Sequence, residues 1–344
     1  MIDLGSNSWR LVVFTFVPGG WWKRTDELYE TVRIGAGMAA NGRLSDEAVA
    51  RGLETLTVFE RFCASSGLAA SQVHAVATSA IRDATNRDEF LAAAQRSTGL
   101  QIEVLSEAEE GRLGYLAAVN TTTLHDGTVL ELGGGSLQLV EVRDRAAGQL
   151  CSLPLGAVRV TEQLLPGPGP VKKRALERAS KHLRQAVAEA SWLGDSGERL
   201  VGIGGAVRNL AAAAQHSVEE RFDLGVQGFL LTRQALAGLV AELAALPADQ
   251  RGTIPGIKPG RGDIVLAAAL TIEAVLEQGG FDGIEATEAG LREGVFFERE
   301  LLAGQQPAWF ADVRESAVRN LAIQYEADLE HVEHVATLAS QMFD

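Results

Sequence analysis

The first strong pattern in the chain is strand-like, not helical. Short apolar, β-branched and aromatic runs in residues 1–16 lie on either side of Gly5-Ser6-Asn7-Ser8, which predicts a β-hairpin. Residues 28–34 predict a third strand. Ser45 then reads as the N-cap of a helix carrying the stripe Leu53, Leu56, Phe59 and Phe62. Residues 73–78 and 102–105 predict two further strands. Ser106 follows as the cap of a helix whose first turn holds Glu107, Glu109 and Glu110, which suits the positive end of a helix. The same grammar repeats downstream. Strands are predicted over 129–132, 137–142 and 150–155, then a short helix after Gly156 and a surface connector at 166–170. A helix over about 172–190 precedes a strand at 200–203, which ends in Gly204-Gly205 before a helix through Leu210. Helices near 234–245 and 263–277, a short strand at 284–286 and a helix opened by residues 290–294 complete this part. The alternation predicts α/β lobes. The pattern turns wholly helical from about Ala308.

Composition narrows the function. The 344 residues, 46% of them hydrophobic, are enough for two or three cored units, with expected boundaries at 1–119, 120–305 and 306–344. No apolar run reaches the roughly 18–20 residues that span a bilayer. The N-terminus reads as a core strand without the basic segment of a signal peptide. Cys63 and Cys151 are isolated and read as apolar packing residues, with no disulfide framework or zinc site. A cytoplasmic location is expected. The net charge of −14 argues against nucleic-acid and membrane partners. It also means that an anionic ligand needs local Arg, Lys and backbone N–H groups.

The candidate chemistry lies in two similar turns, Asp3-Leu4-Gly5-Ser6-Asn7-Ser8 and Glu131-Leu132-Gly133-Gly134-Gly135-Ser136. Each has an acid, an apolar residue, a glycine-containing turn and a serine between strands. Such turns expose consecutive N–H groups as an anion nest, and the leading acid could hold a divalent cation beside a phosphate. One such turn is an ordinary hairpin; two in matching contexts point to a phosphate cleft between two lobes. Glu110, at a strand–helix junction, could accept a proton from water, although acids in a first turn are also ordinary capping residues. Arg82 could fork onto phosphate or form a surface ion pair. Gly204-Gly205 could admit a nucleotide or simply pack tightly. Arg159, Lys172, Lys173 and Arg174 could draw in an anion, although the lysine pair reads more readily as a solvated face. His331 and His334 lack a third ligand. Residues 35–40 resemble a dinucleotide fingerprint, but Asn41-Gly42 follows at once, which excludes it.

Six segments in order carry a family resemblance: residues 2–8, 78–82, 106–112, 132–136, 202–205 and 291–294. The chain resembles the exopolyphosphatase / guanosine pentaphosphate phosphohydrolase family, of the actin, hexokinase and sugar-kinase superfold, over about residues 2–302. The resemblance implies two ribonuclease H-like, actin-like lobes around a phosphate-binding cleft. Residues 306–344, including 320–325, resemble the start of an all-α C-terminal domain related to HD hydrolases. By position, Glu110 matches the catalytic glutamate and Arg82 a phosphate-contacting arginine. Asp3 and Glu131 match the acids near magnesium; Gly5, Ser6, Asn7 and Ser8, and Gly133, Gly134, Gly135 and Ser136, match the phosphate loops. The implied partners are polyphosphate or guanosine pentaphosphate, and a homodimer is expected. The chain also departs from the family. Glu131 stands where Asp is usual, Gln138 where Glu is usual, Glu107 where Gly is usual and Ala206 where Thr is usual. Glutamine has a precedent in the related ecto-apyrases, where it orients the attacking water. The alternatives are a non-catalytic sensor of such polyanions, a nucleoside triphosphate hydrolase and a small-molecule kinase of the same superfold.

Overall fold

The computed structural model describes residues 1–218 and 225–343. Among these described residues, eleven strands form two mixed sheets. The first contains β1 (Ile2–Leu4), β2 (Trp9–Phe16), β3 (Trp22–Glu30), β4 (Ala75–Ala77) and β5 (Ile102–Val104) in the order β3-β2-β1-β4-β5. The second contains β6 (Gly127–Leu132), β7 (Leu137–Arg143), β8 (Ala146–Leu153), β9 (Leu200–Ile203), β10 (Leu230–Thr232) and β11 (Gly283–Ala286), ordered β10-β11-β9-β6-β7-β8. Read from the other edge, the second order repeats the first and adds one antiparallel strand. In each sheet the central strand pairs antiparallel with its hairpin partner and parallel with a later strand: β1 with β2 and β4, β6 with β7 and β9. The two actin-like lobes expected from the sequence are therefore present.

The helices of the first lobe are α1 (Met38–Asn41), α2 (Asp46–Ser65), α3 (Ser79–Asp83) and α4 (Arg87–Thr98). Ser45 caps α2 as expected, accepting from Ala48 N. Leu56, Phe59 and Cys63 bury its inner face beside Ile2, Leu4, Trp9 and Phe90. Helix α5 (Glu107–Thr121) opens with a capping box between Ser106 and Glu109. It packs on the second sheet, with Leu113, Leu116 and Ala117 against Val129, Val140 and Val201. The boundary expected at 119 thus falls inside this helix.

The second lobe adds α6 (Ala157–Leu164), α7 (Lys173–Val187), α8 (Gly205–Val218), α9 (Arg233–Ala245), α10 (Gly262–Gly279) and α11 (Leu291–Phe296). Helix α10 is apolar nearly all round and is buried among α6, α7, α8 and α9, as such a composition requires. The third strand differs from the expectation at 28–34. It ends at Glu30, and Val32 and Ile34 leave the sheet to enter the core. Lys23 to Glu27 are exposed along the sheet edge, so apolar periodicity does not mark them. Helices α12 (Val313–Gln324) and α13 (Leu329–Phe343) form the helical tail. Asn320 and Gln324 of α12 hydrogen-bond the backbone of Trp22.

Candidate active site

Both candidate loops are four-residue hairpin connections with equivalent closing pairs. Leu4 pairs with Trp9 around residues 5–8, and Leu132 pairs with Leu137 around residues 133–136. Asp3 and Glu131 each precede the first residue of the closing pair. Their cross-strand partners are Arg10 and Gln138, and residues directly opposite share one face of a sheet. One lobe thus sets a carboxylate beside a guanidinium on one face of its sheet, and the other a carboxylate beside a carboxamide.

The loops face each other at close range. Ser6 Oγ lies 2.9 Å from Ser79 Oγ at the start of α3. A Cβ at Gly134 would stand 2.8 Å from Ser6 Cβ, so glycine is needed for this approach. The second loop also begins α6, because Gly133 O accepts from Ala157 N at 3.0 Å and Gly134 O from Val158 N at 2.8 Å.

A cleft of about 90 Å³ lies between the lobes, lined by Asp3, Gly5, Ser6, Asn7, Ser8, Glu110, Glu131, Gly133, Gly134, Gly204 and Gly205, among others. Most of the sequence-derived candidates therefore meet at one place. Arg82, Gly135, Ser136 and Gln138 do not line it. Gly135 lines a neighbouring cavity of about 240 Å³ with Asp83 and Arg159. Gln138 is fully buried; its Nε2 donates to Ser136 Oγ at 2.9 Å, and its Oε1 has no hydrogen-bond partner. Arg82 Nη1 donates to Glu110 Oε2 at 2.7 Å and to Leu105 O at 3.1 Å. Lys172 and Lys173 are exposed, as expected of a solvated face; Arg174 is exposed beside them and does not line the cleft.

The cleft also contains four arginines that the sequence did not single out as site residues: Arg10, Arg208, Arg261 and Arg292. Arg261 Nη2 donates to Ser8 Oγ at 3.0 Å, and its guanidinium lies against Gly205, within 2.8 Å of where a Cβ would stand. Arg292 Nη1 donates to Asp3 Oδ2 at 3.3 Å. Arg10 and Lys258 approach the Tyr29 ring, at 5.0 and 5.1 Å from its centroid. These cations meet the requirement set by the overall charge. Burial lowers the Arg208 pKa to about 9, and Arg10 and Arg292 push the same way. A cluster of like charges held at this cost is eased by an anion.

The carboxylates show the opposite strain. Burial raises Glu110 to about 7 against the opposing pull of Arg82, with Asp3 and Glu107 adding to the rise. Burial also holds Glu131 well above the usual carboxylate range, helped by Glu110 and Asp3, and it raises Asp3. Glu131 Oε2 is buried without a partner. This set fits a hard cation, since magnesium takes one or two carboxylates together with water and phosphate oxygens. Among the described residues, the three metal-type side chains with ligand atoms within 4.8 Å of one another are His125, Asp126 and Asp144, which are exposed; the cleft acids are spread more widely.

A model of the Ppx/GppA phosphatase family matches residues 17–303. The chain belongs to that family. An Aquifex aeolicus Ppx/GppA enzyme structure is 27% identical, with TM-score 0.71 over 86% of this chain and 97% of that one. An exopolyphosphatase-like protein is 26% identical, with TM-score 0.77 over 86% and 97%. An exopolyphosphatase from Cytophaga hutchinsonii shares the fold, with TM-score 0.78 and 22% identity over 86% and 95%. Among the described residues no helix is long and apolar enough to cross a membrane.

Proposed function

We propose that this chain is a phosphohydrolase that releases terminal orthophosphate from inorganic polyphosphate, from guanosine pentaphosphate, or from both. The observation that carries this reading is Glu110, a nearly fully buried carboxylate that faces a cleft bounded by two hairpin loops and four arginines. A base serves best when its pKa lies near the working pH, and burial places Glu110 there, at about 7. Family membership supports the reaction class.

In this reading the terminal phosphoryl group sits between residues 5–8 and 133–136, and N–H groups of these loops donate to its oxygens. Glu110 takes a proton from a water aligned with the scissile bond. The water oxygen forms a bond to phosphorus, the bond to the bridging oxygen breaks, and its electron pair stays on the departing chain. Arg82 holds Glu110 in place through its 2.7 Å bond. Gln138 fixes Ser136 and offers a free Oε1 as an acceptor near the second loop. Asp3 and Glu131 would hold magnesium, which when bound screens the charge on the phosphoryl oxygens. Arg10, Lys258 and Arg261 receive the rest of the polyanion.

The test is orthophosphate release, with magnesium, from polyphosphates, guanosine pentaphosphate and nucleoside triphosphates. Release from the first or second is expected. Tight binding of either without release would instead assign a sensor, and preference for nucleoside triphosphates would assign a nucleotidase.

A further inference from the structure

Arg292 holds more hydrogen-bonding capacity than its structural contacts use. It lies in the first turn of α11, is 4% exposed and lines the cleft. Nη1 donates to Asp3 Oδ2 at 3.3 Å. Nε and Nη2 are buried and have no hydrogen-bond partner. The other acid beside it, Glu293, stands 3.7 Å from Nη2, but its Oε2 already accepts from Gly290 N at 2.7 Å. Buried donors are normally paired, so two unused ones on a single guanidinium need an explanation. The edge that carries Nε and Nη2 is the one with which arginine grips two phosphate oxygens side by side.

Each neighbouring arginine already spends part of its donor set on the protein, and none that lines the cleft has both Nε and Nη2 among the buried unpartnered atoms. Arg82 bonds Glu110 and Leu105 through Nη1 alone; its Nη2 is also unpartnered, but Arg82 does not line the cleft. Arg10 Nη1 is on Glu27 at 2.6 Å, and Arg208 Nη1 is on Glu288 O at 2.8 Å. Arg261 keeps one unused buried nitrogen, Nε, and bonds Ser8 through Nη2.

We propose that Arg292 is a catalytic residue whose Nε–H and Nη2–H hold non-bridging oxygens of the transferred phosphoryl group, while its Nη1–H keeps Asp3 aligned. The proposal rests on the phosphohydrolase reading. As the water oxygen bonds to phosphorus, its proton passes to Glu110 and the bridging P–O bond breaks toward the departing chain. The non-bridging oxygens then spread outward, and a rigid fork beside them bonds more strongly to that arrangement than to the resting substrate.

Steady-state orthophosphate release from polyphosphate by wild type, Arg292→Ala and Arg292→Lys tests this, with folding of each checked by circular dichroism. Removing one such donor group should lower kcat about 10²–10³-fold, with KM changed by less than about threefold. Millimolar guanidinium should restore at least a tenth of the lost rate in Arg292→Ala. Arg292→Lys keeps a positive charge beside Asp3 and covers the case in which the alanine variant does not fold; it should show the same fall in kcat. The clamp is overturned if a folded variant keeps kcat near wild type, if guanidinium restores nothing, or if excess magnesium alone restores the rate, which would limit Arg292 to aligning Asp3. Absence of turnover in wild type would overturn the phosphohydrolase reading instead.

Discussion

Gly114→Ala separates stability from activity in this cleft. Gly114 lies one helical turn beyond Glu110 on α5, on the face against Glu131. A methyl there would stand 3.1 Å from Glu131 Cδ and closer still to Oε2. Ordinary carbon contacts lie at about 3.5–4.0 Å, so the carboxylate must swing away by roughly 1 Å. Retreat of the helix is limited, because the Leu113 carbonyl lies hard against Gly294 of α11. Alanine gains about 0.5–1 kcal/mol over glycine inside a helix, and moving the end of one side chain offsets part of that. Net stability should therefore change by less than about 1 kcal/mol, or only a few degrees in Tm for a protein of this size. A 1 Å misplacement of an active-site group can cost about 10²-fold in rate, so orthophosphate release should fall by one to two orders of magnitude while the melting curve barely moves. Glu131→Asp shortens the acid by one methylene and should rescue the loss in the double variant. Activity of Gly114→Ala within threefold of wild type, or a double variant no better than the single one, would refute the placement of Glu131.

Three further expectations follow from the same geometry. The base works ionised and Glu110 lies at about 7, so kcat/KM should decline as pH falls through 7; Arg82 lowers that value, so Arg82→Ala should move the acid limb to higher pH, as a pH–rate series would read. EDTA should abolish hydrolysis and magnesium restore it, with Asp3→Asn requiring more magnesium; full activity in EDTA would remove Asp3 and Glu131 from any metal role. Gln138→Ala frees Ser136 and deletes the unpartnered Oε1, so kcat should fall well beyond any change in KM, and unchanged turnover would reduce Gln138 to a packing residue.

The two hairpin loops were legible because strand-like apolar runs, glycine turns and leading acids coincide locally. So was the cap of α5, where Ser106 and Glu109 close a box that sequence spacing alone describes. The third strand was not, because its exposed edge carries no apolar alternation. Helix α4 buries only Phe90 and Ala94 and presents too thin a stripe to be read. The three-residue strand β10 is also silent, since Leu230 is exposed at 52%. The arginines escaped for a different reason. Arg10 depends on the register of β1 with β2, while Arg208, Arg261 and Arg292 come from separate elements that meet only when the second sheet has formed. The Glu131–Gln138 pairing is likewise a matter of register. What could have been suspected is Arg292, which stood inside a recognised motif at 291–294 without being given a role.

The central claim is that Glu110 activates water in a cleft that holds a polyphosphate end. The most direct measurement compares wild type with Glu110→Gln, by orthophosphate release and by polyphosphate binding in parallel. Glutamine preserves shape and removes the base, so the rate should fall by about 10²–10⁴-fold while the Kd stays within a few-fold of wild type. A glutamine variant that releases orthophosphate at close to the wild-type rate would contradict the account.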